Sequence, residues 1–222
     1  MKIRQNALSL VFLLLFLAAL VGQAFAGTAD YNERQLVDGG STLSVLAYVA
    51  SSDFAVDVAE NWQSEYLQFF LFVIVTVWLI QRGSTESKEP GKEGAESDKD
   101  QKIGEHAEPD SPAWAKVGGF RRWLFSNSLG LTMGIIFLLS WLSQSIAGVA
   151  AGNAQRLSEL RDPISWGEYV LAPEFWNRTL QNWQSEFLAV ASMVVLSIYL
   201  RQRGSPESKP VGESHEATGN SG

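Results

Sequence analysis

The pentapeptide Asn-Trp-Gln-Ser-Glu occurs at Asn61–Glu65 and again at Asn182–Glu186, and the chain is a gapless duplication around it. A shift of 121 residues sets Asn6 on Asn127, Gln23 on Gln144, Ala26-Gly27 on Ala147-Gly148 and Tyr48-Val49 on Tyr169-Val170. The register then runs through both pentapeptides to Gln81–Ser84 on Gln202–Ser205 and Glu86-Ser87-Lys88 on Glu207-Ser208-Lys209. Roughly a third of the aligned positions are identical. Apolar stretches imitate one another easily; polar and aromatic residues held in fixed register do not. Whatever this chain folds into, it must build it twice.

Each copy begins and ends on an apolar run: Leu8–Ala26 and Tyr66–Ile80, then Leu129–Ala151 and Phe187–Leu200. The mean hydropathy of +0.00 averages these runs against polar tails. The first and third have the roughly 20 residues a bilayer crossing needs; the second and fourth are shorter, and the pentapeptide lies at the edge of each. The pattern predicts an all-α integral membrane fold with four transmembrane helices, at about 8–26, 62–81, 127–149 and 183–202. They form two tandem parallel helical-hairpin repeats, 1–88 and 121–209, with short interfacial helices in the outer loops. The linker 89–120 and the tail 210–222 are charged and poor in apolar residues, a composition that predicts disorder.

Two crossings per copy is an even number, so both copies enter the membrane in the same direction, related by an axis along the bilayer normal. Lys2, Arg4, Arg82, Arg121, Arg122, Arg201 and Arg203 fall at one set of helix ends. The opposite loop of the first copy carries Asp30, Glu33, Asp38, Asp53, Asp57 and Glu60 against Arg34 alone. The excess of basic residues marks the cytoplasmic side, and with it both termini. Ala24-Phe25-Ala26 after a basic start and an apolar run also fits a cleaved secretory signal. Because Gln23, Ala26 and Gly27 recur inside the third run, the first run is read as a retained helix.

Composition removes much chemistry. The chain has no cysteine, and its two histidines, His106 and His215, sit in polar low-complexity stretches. Thiolate metal sites, iron–sulfur clusters, cysteine nucleophiles and an intramembrane imidazole are therefore unavailable. A net charge of −7 argues against a nucleic-acid partner. No nucleotide-binding, hydrolase or metalloprotease motif is present. The expectation is a non-enzymatic protein with no cofactor and no metal site. The lipid bilayer is its first partner, with other membrane proteins or a second copy as further ones.

Polar residues in the apolar segments are the remaining candidates. At 100° per residue, Asn61 and Glu65 share a helix face, as do Asn182 and Glu186. Gln23 and Gln144 lie near the matching ends of the neighbouring helices. Two readings of this cluster are open: interhelical hydrogen bonding that glues the hairpins, which is favoured, and a paired-carboxylate site for an ion or proton in a channel or carrier. Gly130 and Gly134 form a GxxxG close-packing motif that the first copy lacks, and Gly83 and Gly204 are read as helix stops.

The runs Asn182–Leu188, Arg201–Gly212 and Leu20–Gly27 resemble an uncharacterised family of bacterial multi-pass membrane proteins, domain of unknown function 6766. The resemblance covers 6–88 and 122–212. It implies a bacterial inner-membrane location and supplies no activity or site residues.

Overall fold

The structure, a computed structural model, describes residues 5–219. Lys2 and Arg4, used above for orientation, and residues 220–222 of the tail lie outside the described residues. The fold is all-helical. In the first copy α1 (Ala7–Val37), α2 (Val45–Val49) and α3 (Ser52–Val75) follow one another; in the second, α6 (Ser128–Ser158), α7 (Trp166–Leu171) and α8 (Pro173–Tyr199) repeat the order. Between them lie a 3₁₀ turn at Gly104–His106 and two short helices, α4 (Ala113–Lys116) and α5 (Phe120–Ser126). Short helices thus occur in both loops.

Among the described residues two helices are long and apolar enough to cross a membrane: α1 and α6, each 31 residues, with mean hydropathies of 2.5 and 1.7 in their most apolar stretches. The side chains of α1 from Leu8 to Leu17 are all exposed. The expected second and fourth spans do not reach that standard. Helix α3 carries Asp53, Asp57, Glu60 and Glu65 before its apolar run and ends at Val75; residues 76–78 form a turn, and Leu79 and Ile80 lie beyond it in no regular element. Helix α8 carries Glu174, Arg178, Asn182 and Glu186 and ends at Tyr199 rather than near 202. Conversely, α1 and α6 continue well past the expected ends at 26 and 149. The all-helical reading holds; four membrane crossings are not established by the helices themselves.

The linker and the described part of the tail run through hydrogen-bonded turns, and on the linker side Lys88 pairs with Glu96 at 2.9 Å and Lys102 with Glu108 at 2.9 Å.

The chain divides into two compact units. One contains the residues up to Ala59 and Ser143–Phe175, and the other Glu60–Leu142 and the residues from Trp176 onward. Each unit gathers matching pieces of both copies.

In the first unit the loops are tied back to their own helices by the same device twice. The Asn32 side chain accepts the Leu43 backbone N–H at 2.7 Å and donates to the Leu43 carbonyl at 2.9 Å. Asn153 does the same to Ile164, at 2.8 Å each way. A carboxamide has one donor and one acceptor side, so it replaces a strand-like partner for a loop residue that would otherwise lack one. One residue later Ser44 and Ser165 cap α2 and α7, Ser165 within a full capping box with Glu168.

The short helices then drive a tyrosine into the long helix. Tyr48 and Tyr169 are buried, each against a glycine, Gly27 and Gly148, and each edge-on to a phenylalanine, Phe54 at 5.6 Å and Phe175 at 5.7 Å. A methyl group at Gly27 would stand 2.6 Å from the Tyr48 hydroxyl, and one at Gly148 would clash with Tyr169 in the same way. Burial, then Asp57 and Asp53, push the Tyr48 phenol above its ordinary pKa, so it stays a neutral donor. The copies differ beside the wedge. Tyr31 packs on Tyr48 at 5.7 Å, but its counterpart is Gly152, and there a polar cavity of about 330 Å³ opens between Asn153, Arg156 and Glu174.

Replacing Asn153 by alanine leaves both backbone groups of Ile164 without their partner. The expected cost is about 1–3 kcal/mol of stability, read as a lower unfolding midpoint of the purified protein. Equal stability would mean that the loop is held by something other than this amide.

Candidate functional site

The second unit places the two pentapeptides side by side. Helices α3 and α8 run in the same direction: Glu60 pairs with Arg178 at 2.6 Å, Gln63 lies opposite Trp183, and Ser64 lies opposite Glu186. Further along, Ser84 and Ser197 meet at 3.1 Å. Rising residue numbers on both sides define a parallel pair.

Two fully buried side chains fix its register. The indole of Trp183 donates to the Gln63 side-chain oxygen at 2.7 Å, and the Gln63 amide donates to the Glu60 carbonyl at 3.1 Å. The Ser64 hydroxyl donates to the Asn61 carbonyl at 2.9 Å and stands 3.5 Å from a carboxylate oxygen of Glu186. Burying an amide without a partner is costly, so this arrangement tolerates no slip along the axis.

Helix α6 packs on both members of the pair. Gly130 and Gly134 lie under Ile74 and Phe70, where an added methyl would approach to 3.1 Å, so the GxxxG motif is a contact surface for α3. Toward α8, Trp141 meets Trp176 and Trp183 with ring centres 5.9 Å apart in each case, and Phe137 completes the cluster.

The residues singled out from the sequence take different places. In the first copy Asn61 and Glu65 are exposed, while Gln63 and Ser64 are buried. In the second, Asn182 and Glu186 are half-buried, with the Asn182 amide donating to the Arg178 carbonyl at 2.9 Å, and Gln184 and Ser185 are exposed. The expected inward face of Asn61 and Glu65 is therefore replaced by the middle of the motif. Identical letters present different faces: glutamine and serine from one copy, tryptophan and glutamate from the other. Gln23 and Gln144 belong to the first unit, half-buried and fully buried respectively. Sequence reasoning missed Gln63 and Trp183 as the register lock, although both lie inside the repeated motif. It had no handle on Glu60 and Arg178, whose counterparts are Gln181 and Asp57.

A second meeting point lies past the helix ends. The stretches Gln81–Lys88 and Gln202–Lys209 are more than helix stops; each closes into the same turn. Gly83 and Gly204 adopt φ of 86° and 83°, a region that favours glycine. The Ser87 hydroxyl receives the Gln81 N–H at 2.8 Å and that of Ser208 receives the Gln202 N–H at 2.9 Å. Ser84 and Ser205 receive the N–H groups of Glu86 and Glu207 at 3.1 and 3.2 Å.

The tail locks onto the first turn. The buried Lys209 ammonium sits among the carbonyls of Gly83, Ser214, His215 and Ala217 at 2.7–3.2 Å, and Gly219 donates to the Ser84 carbonyl. Burial, then the neighbouring Glu207, hold the Glu86 carboxyl above its usual range.

Among the described residues no group of three histidine, aspartate or glutamate side chains is placed to hold a metal ion. The arrangement binds helices together. The family model described as a domain of unknown function, DUF6766, matches residues 1–220. The chain belongs to that family. No curated protein and no solved structure matches it. The DUF6766 match takes in the linker and most of the tail, which the sequence resemblance had left out, so both copies and their connection form one family domain.

Two outcomes are expected. Trp183→Phe strands the buried Gln63 oxygen and should cost about 1–3 kcal/mol; adding Gln63→Leu should recover part of that loss in a double-mutant cycle. The second concerns pH. A carboxyl whose folded pKa is raised contributes most to stability below its unfolded pKa, and that contribution is lost as pH rises through the folded value. Glu86→Gln should therefore raise the melting temperature at neutral pH, with the gain over wild type shrinking as pH falls through the raised folded value and gone below the ordinary carboxylate pKa of about 4.

Proposed function

We propose that this chain is a bacterial inner-membrane protein with a structural or interaction role and no enzymatic activity. In this reading α1, α3, α6 and α8 all cross the bilayer, with both termini and the linker on the cytoplasmic side. The observation that carries it is the parallel α3–α8 pair, in which polar groups at the head of an apolar segment are consumed by one another. Parallel pairing is what two hairpins inserted in the same direction require. The exposed apolar surface of α1 supports lipid contact, since a water-facing helix with such a surface would aggregate. The short apolar parts of α3 and α8 fit a crossing if their polar first turns stand at the outer interface, where Trp62 and Trp183 serve as interfacial anchors.

The ion- or proton-binding alternative needs Glu65 and Glu186 to share a site. Glu65 is exposed and Glu186 is half-buried, 3.5 Å from the Ser64 hydroxyl, so a shared site would be open to solvent on the Glu65 side.

The test is extraction and topology together. The protein should stay in the membrane pellet after alkaline carbonate washing. Reporter fusions at Asp100 should signal cytoplasm and those at Gly40 and Glu159 the opposite side. Release by carbonate would overturn the membrane reading, and a cytoplasmic signal at Gly40 would overturn the orientation. Glu65→Gln with Glu186→Gln should leave insertion and any associated phenotype unchanged; a lost phenotype at normal expression would favour the ion site instead.

A further inference from the structure

Past the pentapeptides a groove of about 320 Å³ runs between α3 and α8, wholly within the second unit. Phe72 and Val75 line one side, Val190 and Val194 the other, and its lining is almost entirely apolar. Glu86 stands at the end where α3 gives way to the turn. An apolar hollow of this size with a few placed polar groups has the make-up of a small-molecule site. Two of those groups are already engaged: the Thr76 hydroxyl donates to the Phe72 carbonyl, and the Ser87 hydroxyl receives the Gln81 N–H. Glu86 is not. Its carboxylate receives the Thr85 hydroxyl at 3.5 Å, and among the described residues no lysine, arginine or histidine pairs with it. Lys88 and Lys92, in the adjoining hollow, are held by Glu96 and Glu89 at 2.9 and 2.6 Å. The charge that does act on Glu86 is a second carboxylate, that of Glu207, from the matching position of the other copy. Two carboxylates at the mouth of an apolar groove repel each other, and the more buried one loses hydration; a cation relieves both costs.

From this we infer that the groove holds an acyl chain of a bilayer lipid whose head group carries a primary amine, with the ammonium set at Glu86. Charge and shape select this occupant together. A metal ion or a soluble amine leaves the apolar length of the groove unfilled, and a bare hydrocarbon leaves the carboxylates unrelieved. An anionic head group is repelled. A primary ammonium is a compact charge with three N–H donors, enough to serve Glu86 and Glu207 at once, whereas a quaternary ammonium has no N–H to donate. In the membrane reading the groove opens on the cytoplasmic half of the bilayer, with the turn at head-group depth. The inference deepens the interaction role proposed above and rests on that reading.

The test uses the full-length protein in mild detergent, titrated with phosphatidylethanolamine, phosphatidylcholine or phosphatidylglycerol of identical chains. Bound lipid is counted by native mass spectrometry. Phosphatidylethanolamine should be held about tenfold more tightly than the other two, the worth of one charge-assisted hydrogen bond. Glu86→Gln, expected above to fold and to gain stability, should bring the three lipids level. Ala191→Trp sets a ring in the groove and should remove the retained lipid while the melting curve stays cooperative. Should that variant fail to fold, Val194→Phe makes the same test with a smaller change. Equal binding of all three lipids by the wild type overturns the inference, as does a preference that survives Glu86→Gln. A preference for phosphatidylglycerol overturns it too, by moving recognition to Lys88 and Lys92. Carbonate extraction reports separately on the membrane reading, so the two failures are distinguishable.

Discussion

The hydrogen bond from the Trp183 indole to the buried Gln63 oxygen is the constraint on which the rest of the second unit depends. Apolar helices slide past one another with little penalty, because one methyl contact resembles the next. A buried amide is different, since a shift of one residue leaves it without a partner. Once Gln63 and Trp183 are opposite each other, Glu60 reaches Arg178, Ser64 approaches Glu186, and the helix ends bring Ser84 to Ser197. The glycines of α6 then find Phe70 and Ile74 at a fixed height. Polar residues here specify position more than they add stability, which is their best-attested use in buried interfaces.

The two copies share what closes each hairpin and differ where they touch. Asn32 and Asn153, Ser44 and Ser165, Tyr48 and Tyr169, and Gly27 and Gly148 perform the same local tasks at equivalent positions. The Glu60–Arg178 pair has no such counterpart, because a contact between copies that is not symmetric frees each side to change alone. Gly152 in place of Tyr31 shows the same freedom in the loop, where removing one aromatic ring leaves a polar cavity beside an otherwise identical wedge.

Much of this was legible in the sequence, and the limits have physical causes. The duplication, the helical class and the presence of a polar motif at the head of α3 and α8 follow from residues in register. Helix ends did not: the pattern of Tyr66–Ile80 continues past Val75, but the backbone leaves the helix at Thr76, whose hydroxyl bonds the Phe72 carbonyl at 2.6 Å. The face presented by each pentapeptide was also out of reach, because identical letters carry no information about which copy turns which way. The turn that the tail builds around Lys209 was out of reach for another reason. A lysine caged by backbone carbonyls leaves no trace in composition or hydropathy.

The amide clasp has a consequence for descent. Asn32 ties a loop of its own copy, as does Asn153, and neither borrows from the other half. A single hairpin encoded by an unduplicated gene would already have carried its own loop closure and its own tyrosine wedge. What it lacked would have been the contacts of α3 with α8 and with the α6 glycines, which each half now finds in the other.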